Sequence, residues 1–327
     1  MQNSSFDIVN LLKEITCFAI RISGVPFLIR KVYARNKVSI IYYHDPKPDV
    51  LNRHLNFLSK RYNFIALDNL VNAIYSGEWT KLPPRSLIVT LDDGHKGNFD
   101  LIDIFKKYKI TPTIYICSQI VNTTRHYWFK VTDMTNVDLR LLKRYSQDER
   151  RILLHNHYGF MSAKEYPEKE RQSLSRKEII LMKEYVDFQS HSRYHPVLPT
   201  CADDETKKEI FQSKTDIENL TDSQCTHFAY PNGDYTEREI ELLKQAGYLS
   251  ARTCDVGWND LNTDPFKLRA SAVTDNASIN LLCAQMSGMT VYLRNLIKGR
   301  LSGKYPAFKD YPESREVYAK LLKRSNK

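Results

Sequence analysis

The chain has 327 residues, 42% of them hydrophobic, enough for a large core and within the span of one α/β barrel. Its formal net charge of +10 is concentrated at the ends: residues 1–37 carry six Lys/Arg against two acids, and residues 294–327 carry ten against three. The body between is close to neutral, which excludes a basic nucleic-acid surface there, and six cysteines without a close pair exclude a zinc ribbon or a dense disulfide framework.

Ile15 to Ile29 is apolar but interrupted by Arg21, Gly24 and Pro26, too short and too charged to span a bilayer. The segment suits the membrane interface, with Phe18, Ile22 and Phe27 as anchors and Arg21, Arg30, Lys31, Arg35 and Lys37 toward headgroups. A helix packed on the domain's own surface is the alternative. Asp7 and Glu14 precede the apolar stretch and no small-residue cleavage site follows it, so no secretory leader is read. The expected location is cytoplasmic, peripheral at the inner membrane face, which fits a substrate built on a lipid carrier.

Val38–Tyr43 predicts a buried strand, and Val50–Arg61 and Asp68–Tyr75 predict helices. Pro83-Pro84 marks a boundary before the strand Ser86–Leu91, and Asn98–Tyr108 (helix) and Pro112–Ile116 (strand) follow. This alternation predicts βα units and a parallel sheet. Residues 122–175 break the rhythm and predict a mostly helical insertion at the edge of a cleft. Its aromatics Tyr127, Trp128, Phe129, Tyr158 and Phe160 are expected to pack a small core of its own rather than stack on sugars. Helices are then predicted at Arg176–Lys183, Asp203–Asn219 and Glu237–Ala246, and strands at Val186–Ser190, Thr226–Tyr230, Tyr248–Thr253 and Lys267–Val273. Ser278–Ile297 reads as a closing helix. Three regions result: a basic, apolar segment over 1–37, a catalytic domain over 38–275, and a helix with a basic tail over 276–327.

Two segments carry chemistry. The apolar run Leu87–Leu91 delivers Asp92 and Asp93 into a turn at Gly94, and Val186–Ser190 delivers His191 and His195. Both follow strands, the end of an α/β fold where ligands bind. Adjacent side chains on extended backbone point to opposite sides, so the two acids need different partners, such as one metal and one water. The histidine segment lacks the glutamate that follows the first histidine of a zincin helix, which leaves Asp92 as the better base.

Thr90-Leu91-Asp92-Asp93-Gly94 resembles the Thr-Phe-Asp-Asp-Gly first motif of polysaccharide deacetylases, carbohydrate esterase family four. His191-Ser192-Arg193-Tyr194-His195 resembles the second motif, and Phe228-Ala229-Tyr230-Pro231-Asn232-Gly233 the third. Tyr42-Tyr43-His44-Asp45 is similar to the opening strand of a bacterial branch, that of nodulation-type chitooligosaccharide deacetylases, and Asp264–Arg269 to its last strand. The resemblance covers residues 38–275. It implies an irregular (β/α)7-type barrel that removes N-acetyl groups from amino sugars of a polysaccharide or its precursor. It also implies Asp92 as base, and Asp93, His191 and His195 as ligands of one divalent transition metal, zinc first and cobalt or nickel as alternatives. The N–H of Asn232, beside Tyr230, is implied as an oxyanion donor.

Two positions depart from the family pattern. No histidine follows His227, so the late-motif acid falls to His44 on the first strand. Ala229 stands where the third motif usually has an arginine, so the arginine contact to the base is absent or comes from Arg269. Trp258 is a candidate wall for an acetyl methyl, with core burial as the alternative. An O-acyl esterase on glycans shares every residue named. A catalytically silent carbohydrate binder is disfavoured by the intact acid pair and histidines.

Overall fold

The computed structural model describes residues 2–134 and 139–297. Eight strands form one parallel sheet: β1 (Val38–Tyr43), β2 (Asn63–Phe64), β3 (Ser86–Leu91), β4 (Thr113–Ile116), β5 (Asp187–Ser190), β6 (His227–Ala229), β7 (Ser250–Arg252) and β8 (Ser271–Ala272). Their order is β7-β6-β5-β4-β3-β1-β8, with β2 on the flank of β3. Leu268 bridges to Arg252 just before β8 pairs with β1, so the segment between closes the sheet into a ring of seven strands. The predicted irregular barrel is therefore the observed fold.

Alternation decides what fills the ring. Ile40, Tyr42, Ile88 and Tyr115 cluster inside with Leu268 and Ala270, while Ile41, Tyr43, Leu87 and Val89 face the surrounding helices. The helix Leu67–Ser76 stoppers the end where the strands begin: Asp68 meets His227 at 2.8 Å, and Tyr75 donates to the Leu249 carbonyl. The opposite mouth is left for chemistry. His44 and Asp92 continue the inward parity of β1 and β3 one residue beyond the strands.

Several boundaries differ from the sequence reading. The stretch expected as one helix from Asn98 begins as a 3-10 turn, Lys96–Leu101, and becomes α-helical at Ile102–Tyr108. The closing helix is two, Ile279–Met286 and Met289–Ile297, broken at Gly288, whose φ of 72° lies in the left-handed region. Of the strand expected at Lys267–Val273, the first residue belongs to a 3-10 turn and only Ser271–Ala272 pairs with β1. The insertion builds its own core from Trp128, Val131, Leu142, Tyr145, Leu154 and Phe160, as expected, although Tyr127 joins Cys117 and Ile120 under the site and Tyr158 is exposed.

The first segment is a longer helix than its apolar stretch suggested, Gln2–Ile22, lying on Ile279–Met286. Cys17 enters the main core, and Glu14 accepts from Ser278 and Asn280. Among the described residues no helix is long and apolar enough to cross a membrane. The basic tail beyond residue 297 lies outside the described residues.

Candidate metal centre and active site

At the open mouth, a cavity of about 270 Å³ is lined by Tyr42, His44, Asp92, Asp93, His191 and His195, with Tyr230, Asn232 and Cys254 on one side. Phe129, Leu139 and Lys143 of the insertion form the remaining wall.

β3 ends at Leu91, and Asp93 then adopts a φ of 72° ahead of Gly94 at 78°. A Cβ on Gly94 would lie 2.7 Å from Ile116 Cγ2, so only glycine fits this turn without a shift. Both acids line the same cavity rather than opposite sides: Asp92 keeps the inward parity of β3, and the left-handed turn at Asp93 brings that carboxylate to the histidines. Ser192, His195 and Asn232 also have positive φ, so half of the eight non-glycine cases among the described residues lie in the motif turns.

Asp93 Oδ1 lies 3.6 Å from His191 Nε2 and 3.4 Å from His195 Nε2. These three form the one group among the described residues whose ligand atoms converge closely enough to hold an ion, within 4.8 Å of one another. His191 Nδ1 donates to the Ala229 carbonyl at 2.7 Å, which leaves Nε2 as the free lone pair. Burial pushes the His195 imidazole down to about 3 and lowers His191 as well, so both are neutral near pH 7, the form that binds metals. Asp93 Oδ1 is buried with no hydrogen-bond partner among the described residues. A buried anionic oxygen facing two neutral imidazole nitrogens fits a cation and is costly without one.

Three partners of this cluster escaped the sequence reading. His95 Nε2 meets the other Asp93 oxygen, Oδ2, at 3.1 Å. Burial opposes the charge on both groups, but their mutual contact outweighs it, holding the Asp93 carboxyl well below its usual range and raising the His95 imidazole. From the insertion, Trp128 Nε1 donates to the His195 carbonyl at 2.7 Å, and the Tyr127 hydroxyl to the Asp93 carbonyl at 2.9 Å. The insertion thereby braces both ligand-bearing turns. His95 lies two residues past Asp92-Asp93 and was legible as a candidate; the tryptophan contact spans 67 residues and was not.

Asp92 is paired by Arg252, not by Arg269. The Arg252 guanidinium donates from Nη2 to Asp92 Oδ2 at 2.5 Å, with 1% of the arginine exposed. Arg252 is the register partner of Ala229, so the arginine missing from the third motif is replaced from the neighbouring strand over a small side chain that leaves it room. Arg269 is exposed on the chain entering β8, and its backbone is held by Asn259. The signal was available: a lone arginine inside the apolar strand Tyr248–Thr253. Asp92 Oδ1 has no partner among the described residues and is available as an acceptor.

His44 is exposed at the cavity rim, its backbone held by Asp275 and Asn98. Asn232 lines the cavity in the turn after β6, and its Nδ2 has no partner among the described residues. Tyr230 is adjacent, but its hydroxyl donates to the Phe266 carbonyl at 3.1 Å and is not free for a substrate. Trp258 packs edge-on to Tyr33 and does not line the cavity; Phe129 and Leu139 supply the apolar wall instead. His126 stacks on Tyr166, and His227 is buried between Asp68 and Ser250, both structural.

The family model for polysaccharide deacetylases matches residues 80–251, just over half of the chain. This chain belongs to the polysaccharide deacetylase family. Its members are hydrolases acting on the amide bond of N-acetyl groups of glycans. The curated proteins compared contain no match. Solved structures share the fold at low identity. A deacetylase from Streptococcus pyogenes, PplD, solved with acetate, is 18% identical at a TM-score of 0.55, covering 76% of this chain and 98% of that one. IcaB from Ammonifex degensii is 17% identical at 0.56, covering 77% and 97%. A de-N-acetylase from Aggregatibacter actinomycetemcomitans is 13% identical at 0.54, covering 75% and 98%.

Proposed function

We propose that this family member is a metal-dependent N-deacetylase of amino sugars in a polysaccharide or its precursor, releasing acetate. The observation that carries the reading is the convergence of Asp93 Oδ1, His191 Nε2 and His195 Nε2 beside an independently held Asp92.

Asp93, His191 and His195 would hold one divalent transition metal; two nitrogens and one oxygen suit zinc, with cobalt or nickel as alternatives. Such an ion supplies Lewis acidity and lowers the pKa of a bound water. The chain's own residues supply the rest. Asp92 accepts the attacking water's proton at its free Oδ1, while Arg252 fixes the other oxygen and keeps the carboxylate aimed. The N–H of Asn232, in the turn after β6, donates to the oxygen that becomes anionic. His44 at the rim protonates the leaving nitrogen, without which an amine is a poor leaving group. Phe129 and Leu139 exclude water from the acetyl side.

The test is acetate release across N-acetylated and O-acetylated glycans and lipid-linked sugars, with and without chelator. Release from N-acetyl sugars that chelator abolishes and added metal restores is the expected result. Release confined to O-acetyl sugars, or indifferent to chelator, overturns it.

A further inference from the structure

The helix Gln2–Ile22 seats on the domain through Cys17 and Ile20 and leaves a second apolar stripe exposed. Leu11, Ile15, Phe18 and Ile22 recur at helical spacing along one stripe, and that stripe points away from the protein. Ile22 is 66% exposed and Phe18 49%. The face turned inward carries Glu14, Cys17 and Arg21, which bond Ser278, enter the core and reach Asn280 respectively. Cys17 and Ile20 thus seat the helix on its own domain with Glu14 and Arg21 bonded beside them, and the longer apolar stripe is left exposed. The stripe continues past Gly24 into Phe27 and Leu28, both more than half exposed. Isolated exposed apolar residues are ordinary, but a continuous ridge of this length marks an interaction surface.

We propose that this ridge docks into the headgroup region of an anionic lipid bilayer. The charge beside it selects that partner. Lys31 and Arg35 alternate with Phe27, Leu28 and Val32 on the exposed turns after Gly24. Between residues 10 and 37 the only acid is Glu14, which Ser278 and Asn280 already occupy. A second copy related by a two-fold axis would set this positive fringe against itself, whereas anionic headgroups relieve it. The ridge lies across the surface of a helix long enough to rest in the interface, and no described helix can span. Glu14 holds Ser278, three residues past Asp275, and Asp275 accepts from the backbone N–H groups of His44 and Asp45 at the cavity rim. The arm therefore runs along the side of the barrel, from Glu14 near the mouth to Arg35, whose carbonyl accepts from Arg85 at the end where the strands begin.

The experiment is flotation of the full chain with phosphatidylcholine vesicles, with and without phosphatidylglycerol, at low and high salt. Binding to the anionic vesicles that weakens with salt is expected. Ile15→Ser/Phe18→Ser/Ile22→Ser reduces partitioning by about tenfold or more, because three large apolar side chains lose their burial in the interface. Lys31→Gln/Arg35→Gln weakens binding and flattens its salt dependence. Thermal melting and oligomeric state are followed for each variant. Absence of binding, binding that ignores headgroup charge, or a dimer that the serine variant dissociates overturns the proposal. None of these readouts depends on catalysis, so failure here leaves the deacetylase reading intact, and the reverse.

Discussion

Arg252 Nη2 donates to Asp92 Oδ2 at 2.5 Å across 160 residues of chain, and both side chains are almost fully buried. The pair joins the second acid-bearing strand end to β7 across the barrel mouth. Tyr42 lies beneath the guanidinium at 4.3 Å, which adds a cation–π contact and fixes its plane.

Breaking this pair from the arginine side leaves a buried carboxylate without its counter-charge. Arg252→Met is expected to lower stability by roughly 3–5 kcal/mol. Arg252→Met/Asp92→Asn should recover much of that loss, because the uncompensated charge is gone. Chemical denaturation of the two single variants and the double variant measures the coupling; additive losses would mean the pair is structurally idle.

Asp92→Asn alone keeps the cavity's shape and removes the acceptor of the water's proton. Metal content should be unchanged while acetate release falls by about 10²–10⁴-fold, the usual range for loss of a positioned base. Near-normal turnover in a metal-replete Asp92→Asn protein removes Asp92 from that role.

His95 grips the oxygen of Asp93 that faces away from the histidines. Such partners orient a ligand carboxylate, and their loss typically weakens metal binding about 10–100-fold. His95→Leu should therefore raise the dissociation constant measured by competition with a chromophoric chelator, and saturating metal should restore activity. An unchanged metal affinity would make His95 a packing residue only.

Metal binding should also register in stability. An ion bound only by the folded state adds about 2.7 kcal/mol at a free concentration 100 times its dissociation constant. Chelation is expected to lower Tm in the native chain and to leave Tm unchanged in His191→Ala/His195→Ala. Equal shifts in both would place the ion elsewhere.

Asp234 offers a pH test away from the ligands. Burial raises its carboxyl to about 6, with Lys143 and Arg150 opposing the shift. A carboxyl whose folded pKa exceeds its unfolded value binds more protons when folded, so its contribution favours folding below the unfolded pKa. That contribution is lost as pH rises from about 4 to about 6. Asp234→Asn should accordingly stabilise the protein near pH 7.5 by on the order of 1–3 kcal/mol and change little near pH 4. Melting curves at the two pH values decide; destabilisation at pH 7.5 would show that the Lys143 contact outweighs burial.

Much of this protein was legible in the chain. Strand periodicity, proline boundaries and capping residues located the βα units, because local backbone preference and burial parity act over a few residues. The Asp92-Asp93 and His191–His195 segments were equally visible, since each ligand-bearing turn directly follows a short apolar strand. What the tertiary structure decided depends on contacts between distant segments. Arg252 substitutes for the arginine absent at Ala229 because parallel register sets β7 beside β6, and register is a property of two strands, not one. Trp128 and Tyr127 brace the ligand turns only once the insertion folds over the mouth. The outward direction of the Leu11–Ile22 stripe is the same kind of fact. Spacing reveals that a helix has an apolar face, but which face meets the protein is settled by Glu14, Cys17 and Arg21 finding Ser278, the core and Asn280 from the other end of the chain.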